Sequence, residues 1–252
     1  MTGFSALCIG AYLLLLPVVA DAIVERVPKS VDAQMGTEFF EGFAAEHRVD
    51  REASQALTEF ADVLGLGSSQ WTWYVVDEPV VNAFALPNGA IVVYTGLLEQ
   101  LEHSSELAGL LGHETAHVKR RHSMRMLARR GLGSTIVGTL FGGGMAGSLL
   151  HQAEALGGLS YSRGFELESD REAQELLLDK GLDARGMVHL LERLDEATEG
   201  ELSPGALFST HPHPKARMEA LREWTALHAQ TPVFDAELEQ AWAMLQATLS
   251  NP

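Results

Sequence analysis

His113 and His117 stand four residues apart with a glutamate beside the first, in the run His113-Glu114-Thr115-Ala116-His117. On an α-helix a four-residue step overshoots one turn by about 40°, so both imidazoles project from one face and can share a tetrahedral metal ion. Glu114 then lies beside the ion, where a carboxylate can take a proton from a metal-bound water. The chemistry open to this spacing is metal-assisted hydrolysis. A chain with 10 histidines and 34 acidic residues can produce such a pentapeptide by chance, so the reading needs a third ligand.

A catalytic zinc takes three protein ligands and keeps one position for water. Thiolates cannot complete the set, because Cys8 is the only cysteine and sits inside an apolar run. Glu166-Leu167-Glu168-Ser169-Asp170 offers three acids on a helix expected to start near Gly164. Glu166 and Asp170 share a helix face, so Glu166 can bind the metal while Asp170 accepts the ring N–H of a ligating histidine. Glu168 points about 200° away and is expected in solvent. Standing alone, the segment reads more simply as acids on a solvated helix face.

The remaining residues must bring these two segments face to face. Ser104 or Ser105 can cap the helix that carries the histidines, Glu106 suits its dipole, and the helix is expected to reach His122 or beyond. On such a helix His122 falls about 180° from His113 and is not expected to bind the metal. Asp32 can cap a helix to about His47, and another runs from Asp50 to Leu64. Trp71 to Val76 and Ala90 to Tyr94 read as strands, and Pro87-Asn88-Gly89 turns a hairpin over 82–95. Later helices are expected at Gly164 to Lys180, Ala184 to Thr198, Pro214 to Ala229 and Asp235 to Leu249. The pattern is α+β and mostly helical, with residues 23–252 as a single domain around one small sheet.

Composition narrows the partners. A net charge of −16 argues against nucleic acid as the main partner, and 46% hydrophobic content supports a sizeable core. Phe4 to Ala20 carries no charge and leads into Ala20-Asp21-Ala22, so residues 1–22 read as an export signal or, uncleaved, as an N-terminal anchor. Lys119, Arg120, Arg121, Arg125, Arg129 and Arg130 gather six of the 18 basic residues. They suit either a solvated helix end or a patch for anionic lipid or a partner. Leu132 to Leu150 has no formal charge and could span a bilayer by length. One crossing, however, would part Glu166 from the histidines. A loop or short helical hairpin beside the cleft is expected there, gating access, with membrane contact assigned to 119–150.

Four motifs in order carry a family likeness: Asn82-Ala83-Phe84-Ala85-Leu86-Pro87-Asn88-Gly89, Leu111-Gly112-His113-Glu114-Thr115-Ala116-His117-Val118, Tyr161-Ser162-Arg163 ahead of Glu166 and Asp170, and Thr210-His211-Pro212 with Arg217. From about residue 80 to 222 the chain resembles the zinc metallopeptidase family of the CAAX prenyl proteases and HtpX, in its bacterial periplasmic, BepA/LoiP-like branch. The resemblance implies a gluzincin-type fold with a small antiparallel or mixed sheet beside the active-site helix. It implies one Zn2+ per subunit on His113, His117 and Glu166, with Asp170 behind the ligands and Glu114 as general base. It places His211 near the metal, stabilising the oxyanion or filling the open position in a resting state. It also assigns Asn82, Ala83, Phe84 and Ala85 to an extended substrate paired as an added strand. Ser169 stands where the family usually has alanine, and is expected to face away from the site.

The function expected is a zinc-dependent metalloendopeptidase of the periplasm or cell envelope, acting on misfolded or membrane-associated proteins. The alternative is a zinc-containing chaperone or assembly factor that acts by binding. Prenyl-protein processing is disfavoured, because family members with that activity carry several membrane spans.

Overall fold

The computed structural model describes residues 15–67, 70–141, 160–198, 206–212, 214–228 and 230–249. In chain order the elements are α1 (15–24), α2 (Lys29–Glu46), β1 (Val49–Asp50), α3 (Arg51–Val63), β2 (Thr72–Val76), β3 (Ala83–Ala85), β4 (Ala90–Tyr94) and α4 (Thr95–Leu98). There follow α5 (Ser104–Lys119), α6 (His122–Phe141), α7 (Arg163–Asp179), α8 (Gly186–Thr198), α9 (Ala206–Thr210), α10 (Pro214–His228) and α11 (Ala236–Leu249). This is the expected mostly helical α+β architecture.

The sheet has the order β1-β2-β4-β3, with β2 and β4 parallel and both outer pairings antiparallel. All five residues of β4 are buried, because helices cover both faces of the sheet. Ile91 and Val93 share one buried cluster with Leu107 and Leu111 of α5, while Val92 and Tyr94 belong to a second cluster against which Phe39, Phe40 and Phe43 of α2 pack. Leu107 and Leu111 are 0% exposed, and burying each stabilises the layer by about 2 kcal/mol. The expected hairpin forms, with Ala83 opposite Val93 and Ala85 opposite Ile91. Its turn requires Gly89, which has φ 88° and whose Cβ would lie 2.0 Å from the Gln70 carbonyl oxygen.

Helices α5 and α7 pack closely across Gly112. A Cβ at that position would lie 3.1 Å from Ala173 Cα and 2.9 Å from Leu176 Cδ2. This absence of a side chain lets α7 approach the histidine face of α5.

Several boundaries differ from those expected. Helix α5 ends at Lys119 instead of running through His122. Arg121 adopts φ 54° and α6 starts afresh at the next residue. Neither Ser104 nor Ser105 is the cap: both are helical, and Glu106 instead accepts the Glu102 N–H at 2.7 Å. Asp32 lies in the first turn of α2, not at its cap, and pairs with Arg121 Nη2 at 2.6 Å. In the stretch expected to form a loop or hairpin, α6 stays helical to Phe141, and 142–159 lies outside the described residues.

Much of the basic cluster is met by the protein's own acids. Arg120 pairs with Glu172 at 2.5 Å, and Arg129 with Asp21 at 2.9 Å. Arg121 also donates to the carbonyls of Val24 and Val27 at 2.6 and 3.0 Å. These contacts seat α1 on α6, with Ala20 and Val24 buried. Among the described residues no helix is long and apolar enough to cross a membrane.

Candidate metal centre

Helix α5 is buried from Ser104 to His117, so its histidine face looks into protein, not solvent. His113 Nε2 and His117 Nε2 lie 3.0 Å apart. From α7, Glu166 reaches this pair with Oε1 at 3.4 Å from His117 Nε2 and Oε2 at 3.7 Å from His113 Nε2. His211, just beyond α9, brings Nδ1 to 3.3 Å from His113 Nε2 and from both Glu166 oxygens. Each of the four residues offers one ligand atom, and these atoms lie within 4.8 Å of one another. Bonds of about 2.0–2.1 Å at tetrahedral angles put ligand atoms about 3.3–3.4 Å apart, so the separations suit a single ion.

The partners of these groups explain their charge states. Asp170 Oδ1 lies 2.9 Å from His113 Nδ1, on the ring's far side from the cluster. Arg217 bridges two acids, with Nη1 2.7 Å from Glu166 Oε2 and Nη2 2.6 Å from Asp170 Oδ1. Burial works against the charged form of both carboxylates, but the surrounding cations outweigh it: His211 and Arg217 hold Glu166 below the usual range, and Arg217 does so for Asp170. Burial drives His117 well below an ordinary histidine, leaving the neutral ring that metal ligation requires. For His211 burial opposes protonation, yet Glu166 and Glu114 prevail and raise its pKa.

Glu114 has no such clamp. Its two carboxylate oxygens are buried without a hydrogen-bond partner among the described residues, and His211 Nε2 stands 3.6 Å from Oε1. Burial pushes its carboxyl upward. A buried polar group left open in this way marks a place for something else to bind.

The structure thus gathers His113, Glu114, His117, Glu166, Asp170 and His211 at one centre. Segment 82–85 lies at the sheet edge, where β3 contacts α5, the helix that carries the two histidines. Tyr94 N–H donates to Asn82 O, and Leu86 N–H to Ala90 O, so the alternating main-chain groups of Ala83 and Ala85 face away from β4. The Asn82 side chain accepts from the Ala83 N–H at 3.0 Å.

Three residues at the centre had no role in the sequence reading. Arg217 was visible as part of a motif, but its span to Asp170 was not. Tyr161 lies with its ring 4.0 Å from that of His117, and its N–H donates to the Thr210 carbonyl beside His211 at 2.9 Å. His122 is not in the ligand cluster, but the break after α5 folds it back under His117 instead of carrying it to the opposite face. Burial lowers its pKa to about 3. Ser169 lies outside the ligand cluster and is fully buried, with Oγ 3.4 Å from His122 Nδ1.

Two histidines and a glutamate from one helix, joined by a glutamate from a second, form the centre of an HExxH metallopeptidase. Residues 47–225 match the model of Peptidase family M48. The chain is 32% identical over 205 residues to the mitochondrial metalloendopeptidase OMA1 of Schizosaccharomyces pombe, covering 80% of this chain and 60% of that one. It is 30% identical over 180 residues to the metalloprotease LoiP of Escherichia coli, covering 68% and 70%. With the beta-barrel assembly-enhancing protease of Yersinia pestis it shares 31% over 162 residues, which is 60% of this chain and 33% of that protein. The chain belongs to peptidase family M48.

Proposed function

We propose that this protein is an exported, zinc-dependent metalloendopeptidase that cleaves unfolded or membrane-associated proteins of the cell envelope. The observation that carries this reading is the buried cluster of His113, His117, Glu166 and His211 with the open carboxylate of Glu114 beside it. Imidazole nitrogens and a carboxylate oxygen at tetrahedral spacing make a donor set for zinc. A purely structural zinc site has no use for a neighbouring general base.

When bound, zinc lowers the pKa of a water towards about 7 and polarises a carbonyl. Glu114 takes the water proton on a carboxylate oxygen and passes it to the leaving amine, and its burial favours holding that proton between the two transfers. Asp170 keeps the His113 ring turned with Nε2 toward the cluster. Arg217 keeps Glu166 ionised and in place. His211, with Nδ1 3.3 Å from His113 Nε2 and from Glu166 and Nε2 3.6 Å from Glu114, is placed either to hold the metal as a fourth ligand or, with that position open, to stabilise the oxyanion. The outward main-chain groups of Ala83 and Ala85 suit an extended substrate added along the sheet edge.

The apolar run at 4–20 supports export, and the β-barrel assembly named for the Yersinia relative supports an envelope setting. Docking of α1 on α6 favours retention of the N-terminal segment over its removal after Ala22.

Zinc content and cleavage of an unfolded polypeptide, compared for wild type and Glu114→Gln, test the reading. One zinc per chain is expected in both. Cleavage should fall by a factor of about 100 or more in the variant, with folded substrate resistant throughout. Undiminished cleavage by Glu114→Gln would overturn the mechanism, and full cellular function of that variant would favour the chaperone alternative.

A further inference from the structure

His122 is completely buried, yet it is not one of the four groups that meet at the metal cluster. Its Nδ1 lies 3.0 Å from Nδ1 of His117. The other nitrogen of His117, Nε2, faces His113 Nε2 at 3.0 Å and Glu166 Oε1 at 3.4 Å. On its far side, His122 Nε2 lies 3.2 Å from Glu168 Oε2, on a side chain that is 49% exposed. Phe165 stacks on the His122 ring at 4.1 Å and 12°, fixing its plane.

A neutral imidazole has one N–H and one lone pair. If His117 presents the Nε2 lone pair to a metal, its hydrogen is on Nδ1, and in a dry pocket that N–H needs an acceptor. The acceptor within reach is the Nδ1 lone pair of His122. That choice puts the hydrogen of His122 on Nε2, aimed at the Glu168 carboxylate. The Ser169 hydroxyl, at 3.4 Å, is farther from the same Nδ1 than the His117 nitrogen at 3.0 Å, so the lone pair goes to His117. The two histidines of α5 are therefore supported differently. His113 meets a carboxylate directly, 2.9 Å away, whereas His117 meets an imidazole that is itself held by a carboxylate.

We propose that His122 is a positioning residue that sets the tautomer and ring orientation of His117, with Glu168 setting the tautomer of His122 in turn. This rests on the reading of His117 as a zinc ligand. Glu168, expected to be only a solvated acid, becomes the outer end of a two-bond chain that reaches the metal site.

The test uses the full-length protein, with zinc affinity measured by chelator competition and histidine tautomers read by 15N NMR. His122→Phe keeps the ring volume and the stack on Phe165 but removes the acceptor. His122→Asn loses volume but retains an acceptor near the position of Nδ1. Zinc affinity is expected to fall by about 10–100-fold in His122→Phe and much less in His122→Asn, with kcat lowered more than KM is raised. Glu168→Ala should weaken zinc binding by a smaller factor. If His122→Phe binds zinc as tightly as wild type, or His122→Asn binds it more weakly than His122→Phe, His122 serves packing and the proposal fails. The wild-type spectrum decides independently of any variant's folding: zinc-loaded protein should show Nδ1–H on His117 and Nε2–H on His122, and the reverse pattern overturns the proposal. A wild type that binds no zinc would overturn the metal reading itself, by a result that owes nothing to His122.

Discussion

Arg217 shows what a single side chain contributes at this centre. Its guanidinium bonds Asp170 through Nε and Nη2 at 2.8 and 2.6 Å, and Glu166 through Nη1 at 2.7 Å, while 2% exposed. Without it, Glu166 and Asp170 would remain as buried carboxylates close to a third, Glu114. Removing one partner of a buried ion pair typically costs about 3–5 kcal/mol, so Arg217→Ala should lose stability on that scale in chemical denaturation of the metal-free protein. Arg217→Lys should recover only part, because one ammonium cannot reproduce the fork that spans two acids. A metal-free Arg217→Ala protein as stable as wild type would contradict this account. The arginine was legible as a motif residue, but its partner Asp170 is 47 positions away, and spacing says nothing about a contact at that separation.

At the scale of elements, the site depends on how closely α7 approaches α5. Gly112 precedes His113 and has no Cβ to hold Ala173 and Leu176 away. Gly112→Ala should cost about 1–3 kcal/mol by overpacking, and should also weaken zinc binding, since Glu166 rides on the displaced helix. Gly109→Ala is a useful control: its added Cβ meets the flexible end of Met187 at 2.8 Å, and zinc affinity should stay near wild type. Equal zinc affinity in Gly112→Ala and wild type would show that the helix spacing tolerates a methyl group. Most helices and both main strands were readable from periodicity and β-branched runs to within a few residues. The break between α5 and α6 was not, because no glycine, asparagine or proline marks it. Arg121 enters the left-handed region, at a cost of about 1–2 kcal/mol, held by Asp32 and the carbonyls of Val24 and Val27.

Over the whole molecule, α1 packs as part of the fold. Ala20 is 0% and Val24 2% exposed, Asp21 pairs with Arg129, and Arg121 holds the carbonyls that follow. Cleavage after Ala22 would remove Ala20 and Asp21 and leave Arg129 facing Phe165 without that acid. The mature protein is expected to keep these residues, as read by intact mass and N-terminal sequencing. A mature chain starting at Ile23 would overturn that expectation.

The sequence by itself determined the metal-binding pentapeptide, the helical face shared by Glu166 and Asp170, and the strand and turn pattern beside them. Each of these is local: four-residue periodicity, a β-branched run or a Pro-Asn-Gly turn is complete within a few residues. The tertiary structure alone decided which ring nitrogens face the cluster, that Arg217 locks both acids, that His122 and Ser169 stand behind His117, and that the basic cluster is largely spent on internal acids. Those outcomes depend on packing between segments far apart in the chain, where a buried charge or N–H must find a partner and local pattern cannot say which one it finds.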